Sequence, residues 1–223
     1  MLQLVDTADG SKTIFNPAIG ENYHSRHGAL QESLHVFLHS GLKHFLLEQD
    51  KREASILEVG FGTGLNFLLT ANFCLENNVS LNYTGIEAFP LDLSLILQTG
   101  YEQYITPDLW QLFVDKYPLS INHTVNLTNN CMFHLAYTTL LQFKSEQQFD
   151  LIYFDAFSAI HQPDMWSHES IAHVSQFLKI GGTFVTYAIT GDLKRMFKSL
   201  GFAIEKIPGA PGKREMLRAK KLH

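Results

Sequence analysis

With 223 residues, 45% of them hydrophobic, the chain is long enough to bury a full core in one domain. A formal charge of −5 speaks against general affinity for nucleic acid. No apolar run approaches the roughly 20 residues of a membrane span, and Met1-Leu2-Gln3-Leu4-Val5-Asp6 lacks the basic flank of a secretory signal, so a cytoplasmic protein without membrane contact is expected. Cys74 and Cys131 form no CxxC, and the 11 histidines fall in no ligand spacing, so neither a disulfide nor a metal is expected.

Residues 1–50 read as an extension that packs near the site, ahead of a main domain over 51–223. Leu30, Leu34, Phe37 and Leu38 recur at helical spacing up to about Gly41, and Leu42, Phe45, Leu46 and Leu47 continue an apolar face. Ser55 to Val59 is the first clear strand and Asn66 to Leu75 the helix after it. Leu81 to Glu87 is a second strand, and helix is expected from Leu91 to about Trp110. From Gln111 to Leu141 the pattern is weak, with only a short Val125-Asn126-Leu127. Phe149 to Asp155 is a strand of the fully buried type. Then come a helix over Ser167–Leu178, a strand over Thr183–Tyr187 and a helix near Leu193–Leu200. Two last strands, near Phe202–Ile207 and Arg214–Ala219, flank Pro208-Gly209-Ala210-Pro211-Gly212 with no helix between them. Alternating strands and helices predict an α/β, Rossmann-like, mostly parallel sheet that closes in an antiparallel strand.

The chemistry concentrates at Glu58-Val59-Gly60-Phe61-Gly62-Thr63-Gly64-Leu65-Asn66, a strand running into a glycine turn and a helix. A dinucleotide turn needs G-x-G-x-x-G to seat a pyrophosphate. Here the spacing is G-x-G-x-G, and no phosphate-loop Lys or Ser/Thr is present. Glu58, one residue before Gly60, repels phosphate and suits a cation. S-adenosylmethionine, with a sulfonium, an amino group and no phosphate, fits better than NAD. Glu87, ending the next strand, is placed to accept ribose hydroxyls. Glu58 is assigned to the methionine end of that cofactor. A glycine turn without ligand, and Glu87 as a solvated acid, are the plain alternatives.

A second constellation, Phe154-Asp155-Ala156-Phe157-Ser158-Ala159-Ile160-His161-Gln162-Pro163-Asp164-Met165-Trp166, leaves a buried strand on the same sheet edge. Phe154, Phe157 and Trp166 offer aromatic faces on which a base can stack for roughly 1–3 kcal/mol. The structural alternative makes Phe154 and Trp166 core and Asp155 a turn cap. Lys213, Arg214, Arg218, Lys220 and Lys221 face one acid, Glu215, in a basic C-terminal segment that suits phosphate contact or simple solvation.

Tyr23-His24-Ser25, Gly28 to Leu38 with Glu32, Glu58 to Asn66, Tyr83 to Glu87, Phe154 to Trp166, Gly181-Gly182-Thr183 and Pro208 to Leu217 together closely resemble the methyltransferase part of the MnmC family of tRNA wobble-uridine enzymes, and its stand-alone MnmD form. The resemblance runs from about residue 20 to the end, and the family's oxidoreductase half has no counterpart here. It implies a class I S-adenosylmethionine-dependent methyltransferase acting on the aminomethyl nitrogen at C5 of uridine 34 in tRNA. It implies cofactor contacts from Tyr23, Ser25, Glu58, Gly60, Phe61, Gly62, Gly64, Leu65, Asn66 and Glu87. Asp155 becomes the catalytic residue, and Phe157, Trp166, Lys213 and Arg214 meet the substrate. The chain departs from the family in lacking Gly-Asp before Phe149, where Asn129-Asn130 or His134 stand nearby, and in carrying Ala159 in place of a proline. A small-amine N-methyltransferase and a non-catalytic cofactor-binding module are the competing readings.

Overall fold

The computed structural model describes residues 1–223. A hairpin of β1 (Gln3–Asp6) and β2 (Lys12–Asn16) is extended by β3 (Glu21–Asn22) into a small antiparallel sheet. A continuous helical segment, α1 (residues 29–49), follows. It is α-helical at Ala29–Glu32 and His44–Gln49, and its middle, Ser33–Lys43, is wound more widely, with the His44 N–H reaching the His39 carbonyl.

The main sheet begins with β4 (Glu53–Val59), whose Ile56, Leu57 and Val59 are fully buried. It continues with α2 (Leu65–Glu76), β5 (Ser80–Glu87), α3 (Pro107–Ser120), β6 (Thr124–Thr128), β7 (Cys131–Tyr137), β8 (Phe149–Phe154), α4 (His168–Ser175), β9 (Leu178–Thr186), α5 (Gly191–Ser199), β10 (Phe202–Pro208) and β11 (Glu215–Lys221). The strand order is β10-β11-β9-β8-β4-β5-β7-β6, with β4 parallel to both neighbours: Leu57 pairs with Thr84 on one side and Ile152 on the other. The two edges are antiparallel, β6 against β7 and the β10–β11 hairpin against β9. This is the Rossmann-like class I arrangement, and the closing antiparallel strand falls where the Pro/Gly loop predicted it.

The expected helix from Leu91 to Trp110 is a different object. Its first part is only a short turn of helix at Leu93–Ile96, and Gly100, at φ 74°, breaks the path. The long helix starts instead at Pro107, where a missing N–H costs nothing, and carries Leu109, Phe113 and Tyr117 into the core. The weakly patterned stretch after it holds β6 and β7. The edge strand β6 presents only Leu127 and a half-buried Val125 to the interior, which is why its alternation is faint.

The N-terminal segment shares the main core. Val36, Phe37, Leu42 and Phe45 belong to the same apolar cluster as Ile56, Tyr83, Tyr153 and Val185, so α1 serves as one of the sheet's covering helices. Its approach is close at Gly41, where a Cβ would lie 2.9 Å from Tyr153 Cε1 and 3.2 Å from Val185 Cγ2. Cys74 and Cys131 are free thiols buried in that core, and burial pushes both above the usual thiol range. No helix is long and apolar enough to cross a membrane. Because the Gly41 contact is with a rigid ring, Gly41→Val is expected to destabilise the protein by about 1–3 kcal/mol in urea denaturation.

Candidate active site

The sheet's carboxyl edge places the ends of β4, β5, β7 and β8 around one cavity of about 660 Å³. Its floor is the glycine turn after β4, and most of this turn's amides are engaged. Gly60 and Phe61 N–H donate to the Ile86 carbonyl at 3.1 and 3.2 Å, Gly62 N–H to Glu87 Oε2 at 2.9 Å and Gly64 N–H to the Phe61 carbonyl at 2.9 Å. An anion nest needs such N–H groups free, and these four are not available to one. Positive φ at Gly60 (83°), Gly62 (53°) and Gly64 (79°) requires glycine. Crowding does so too: a Cβ at Gly60 would meet the Asp155 carbonyl at 2.4 Å and one at Gly62 the Tyr23 ring at 2.8 Å.

Glu87, at the end of β5, accepts from Gly62 N–H through Oε2 and from Phe89 N–H at 3.0 Å through Oε1. Each carboxylate oxygen has a further lone pair, and the residue lines the cavity. Burial raises its pKa, against the backbone amides of Phe89, Gly62 and Ala88 that lower it. A neutral vicinal diol satisfies such a group without adding charge. Tyr23 closes the cavity from the other side, edge-on to Phe157 with ring centroids 4.9 Å apart, and burial followed by the field of Glu87 lifts its phenol to about 12.

Asp155 stands where β8 leaves the sheet, its N–H bonded to the Val59 carbonyl at 2.9 Å. Burial first, then the negative field of Glu32, raises its pKa to about 8, while Asn66 and Lys213 act in the opposite direction. The loop it opens is pinned by neighbours. Trp166 Nε1–H donates to the Phe157 carbonyl at 2.7 Å, Tyr187 O–H to the Ala156 carbonyl at 2.9 Å, and Ser158 N–H to Glu21 Oε2 at 2.8 Å. These bonds hold the loop in the absence of the family proline.

The structure brings Tyr23, Gly60, Phe61, Gly62, Glu87, Asp155 and Phe157 to this cavity. Phe61 contributes backbone only, since its ring lies in the core, stacked on Phe133 at 5.4 Å. Glu58 is not on the cavity. It is fully buried beneath the turn, accepting from Asn66 Nδ2 and Tyr83 O–H, both at 2.8 Å, and burial holds it well above the usual carboxylate range. Asn66 is buried too, and the same Nδ2 reaches Asp155 Oδ2 at 2.8 Å, so it ties the two acids together. Gly64 caps α2 and Leu65 is core. Trp166 is packed between Phe154 and Tyr187, with its centroid 5.0 and 5.8 Å from theirs.

Ser25 and Lys213 line an adjoining cavity, and Arg214 is exposed, in no ion pair. Asn129 and Asn130 turn between β6 and β7 at the opposite end of the sheet, and His134 lies in mid-strand, so neither stands at the adenine side. Thr138, Thr139 and Leu140, directly after β7, line the cavity instead. Sequence reasoning missed them because the strand before them was unreadable. No group of three or more His, Cys, Asp or Glu is arranged to hold a metal ion.

A predominantly apolar cavity of this volume, with the carboxyl groups of Glu87 and Asp155 on its wall, is of a size and polarity to take a nucleoside. These are the features of a methyl-donor site. Residues 105–222 match the model of an S-adenosyl-L-methionine-dependent methyltransferase family, and the chain belongs to that family, with S-adenosylmethionine as its cofactor. Among characterised relatives, it is 31% identical to the tRNA 5-methylaminomethyl-2-thiouridine biosynthesis bifunctional protein MnmC of Magnetococcus marinus, across 96% of this chain and 34% of that protein. With the MnmC of Chromohalobacter salexigens it shares 31% identity across 94% of this chain and 31% of that one. The chain thus spans about a third of the length of the curated relatives it matches. The crystal structure of MNMC2 from Aquifex aeolicus superposes with a TM-score of 0.79 at 21% identity, covering 99% of this chain and 70% of that one, and shares the fold.

The raised pKa of Asp155 has a consequence for stability. In the unfolded chain the group ionises near 3.8 and in the folded one near 8, so the fold loses stability as pH rises between these values. Asp155→Asn is expected to remove that loss, raising Tm at pH 8 by about 2–4 °C for each kcal/mol recovered. The gain should shrink toward pH 4. Melting curves across this range, without ligand, check it.

Proposed function

We propose that this methyltransferase acts on the aminomethyl nitrogen at C5 of the wobble uridine of tRNA, giving the 5-methylaminomethyl form. One observation carries the reading. Asp155 is the only acid that lines both the cofactor cavity and the adjoining one, so it stands where donor and acceptor meet. Similarity to the MnmC proteins over 94–96% of this chain supports tRNA as the acceptor, and a cytoplasmic site of action goes with it.

S-adenosylmethionine supplies an electrophilic methyl group on a sulfonium. Glu87 is assigned to the ribose, the Gly60–Gly62 backbone to the floor, Thr138 and Thr139 to the base side, and Tyr23 to the cover. Glu58 keeps a role at one remove, holding Asn66 and through it Asp155.

The acceptor nitrogen must be a free base to attack. For an alkylammonium near 10, deprotonation at pH 7 costs roughly 4 kcal/mol. Transfer of that proton to an ordinary carboxylate near 3.8 is uphill by about 8 kcal/mol, whereas a carboxylate lifted to about 8 reduces the gap to about 3 kcal/mol. Asp155 therefore orients the amine through a hydrogen bond and takes up its proton. The pinned Phe157 loop fixes the geometry, which supplies further rate. Arg214, exposed beside the second cavity's rim, suits a phosphate of the bound strand.

Asp155→Ala is expected to bind S-adenosylmethionine as the native protein does and to lose at least about 100-fold in kcat. Equal loss of binding and turnover would remove its assigned role. In titration calorimetry, Glu87→Ala is expected to weaken cofactor affinity by about 10-fold or more; an unchanged Kd removes the ribose assignment. Mass spectrometry of tRNA nucleosides from cells lacking the protein should show aminomethyluridine accumulating at the expense of its methylated form. No accumulation, with the purified protein methylating free amines, would favour a small-molecule acceptor.

A further inference from the structure

The second cavity, about 350 Å³, lies against the first and shares Tyr23, Asp155 and Phe157 with it. Glu21, Glu32 and Asp155 contribute acids to its wall, facing the bases Arg26 and Lys213. Glu32 is buried near the start of α1, and its position is fixed: Oε2 accepts the Ser25 N–H at 2.9 Å, and Oε1 accepts Lys213 Nζ at 2.6 Å. Lys213 Nζ also sits 3.7 Å above the centre of the Tyr187 ring, and that ring is anchored by its hydroxyl to Ala156.

One ammonium is thus held by a carboxylate beside it and an aromatic face below it, in the field of Asp155. These are the elements by which proteins recognise an ammonium ligand. The cavity also contains an unmet acceptor, for Asn22 lines it and Asn22 Oδ1 is buried without a hydrogen-bond partner. The cation that fills the subsite belongs to the protein itself and is movable. Lys213 follows Gly209-Ala210-Pro211-Gly212 in the loop between β10 and β11, at the end of a flexible four-carbon stem.

We propose that Glu32 and the Tyr187 face form the subsite for the acceptor's ammonium, and that Lys213 Nζ occupies it until the acceptor displaces it. The proposal rests on the acceptor being an amine, as in the function above, and adds the residues that select it. It also accounts for the inward direction of Lys213, whose neighbour Arg214 is exposed. Displacing one cation by another keeps Glu32 paired throughout, so the acceptor enters without stranding a buried carboxylate. The competing role for the pair is a staple that fastens the C-terminal loop to α1.

Benzylammonium, a primary ammonium one carbon from a planar ring, probes the subsite without tRNA; benzyl alcohol is its neutral control. Calorimetry is run on the full chain saturated with S-adenosylhomocysteine, whose binding also reports that each variant is folded. Lys213→Met is expected to bind benzylammonium about ten-fold more tightly than the native protein, with benzyl alcohol unchanged. Adding Glu32→Gln to Lys213→Met is expected to abolish the gain. Unchanged benzylammonium affinity in Lys213→Met, a gain that survives Glu32→Gln, or no binding to any variant overturns the proposal and leaves the staple. If the expected pattern appears while aminomethyl-bearing tRNA is not methylated, the tRNA reading fails and the ammonium subsite stands.

Discussion

The site depends on three carboxyl groups gathered at one edge of a buried sheet with few cations to meet them. Glu58 sits within β4, Glu87 at the end of β5 and Asp155 just past β8, and these strands are neighbours, so the sheet's register alone sets the acids side by side. Their direct hydrogen-bond partners are neutral: the Asn66 amide, the Tyr83 hydroxyl and the backbone N–H groups of Gly62 and Phe89. Neutral donors orient a carboxyl but do not repay its desolvation. All three acids are accordingly pushed up, and the protein carries a standing destabilisation that a cationic ligand relieves.

Asn66 is the small part that organises this arrangement. A single amide nitrogen spends both its hydrogens on two acids, one from each of two adjacent strands, and its own Oδ1 stays without a partner. Such an amide ties the acids together and lowers both through its hydrogen bonds, but it adds no charge, and burial still prevails. A lysine in its place would neutralise Asp155 and cost the site its proton acceptor. The glycine turn contributes in a similar way. Four of its amides are taken up by Ile86, Phe61 and Glu87, which leaves less positive potential at the floor to offset the acids.

Much of this was legible in the sequence, for reasons that differ by residue. Gly60, Gly62 and Gly64 announce themselves because positive φ and close backbone approach exclude other residues. Glu87 and Asp155 were readable because each ends an apolar run, and a strand end in an open α/β sheet points at ligand. Glu58 was assigned to the cofactor on its position before the turn. In the structure its side chain is buried beneath the turn and bonded to Asn66 and Tyr83, a placement that position in the strand alone does not reveal. The adenine side was unreadable for a related reason: β7 follows the faint edge strand β6, so Thr138 and Thr139 could not be placed at a strand end. Glu32 stood out in the sequence only as part of the family match, and only tertiary structure brings the loop between β10 and β11 across to it.

The two cavities differ in how they treat charge, and the difference bears on the order of events. The cofactor cavity is mostly apolar, and its Glu87 is already engaged by two amides, so it presents a formed surface to a ligand. The adjoining cavity is polar, and its principal acid is paired with a lysine of the same chain. Filling the first cavity needs no internal bond to break, whereas entry to the second must compete with an existing ion pair. A positive charge bound beside Asp155 would stand next to the wall the two cavities share and draw that carboxyl toward its ionised form.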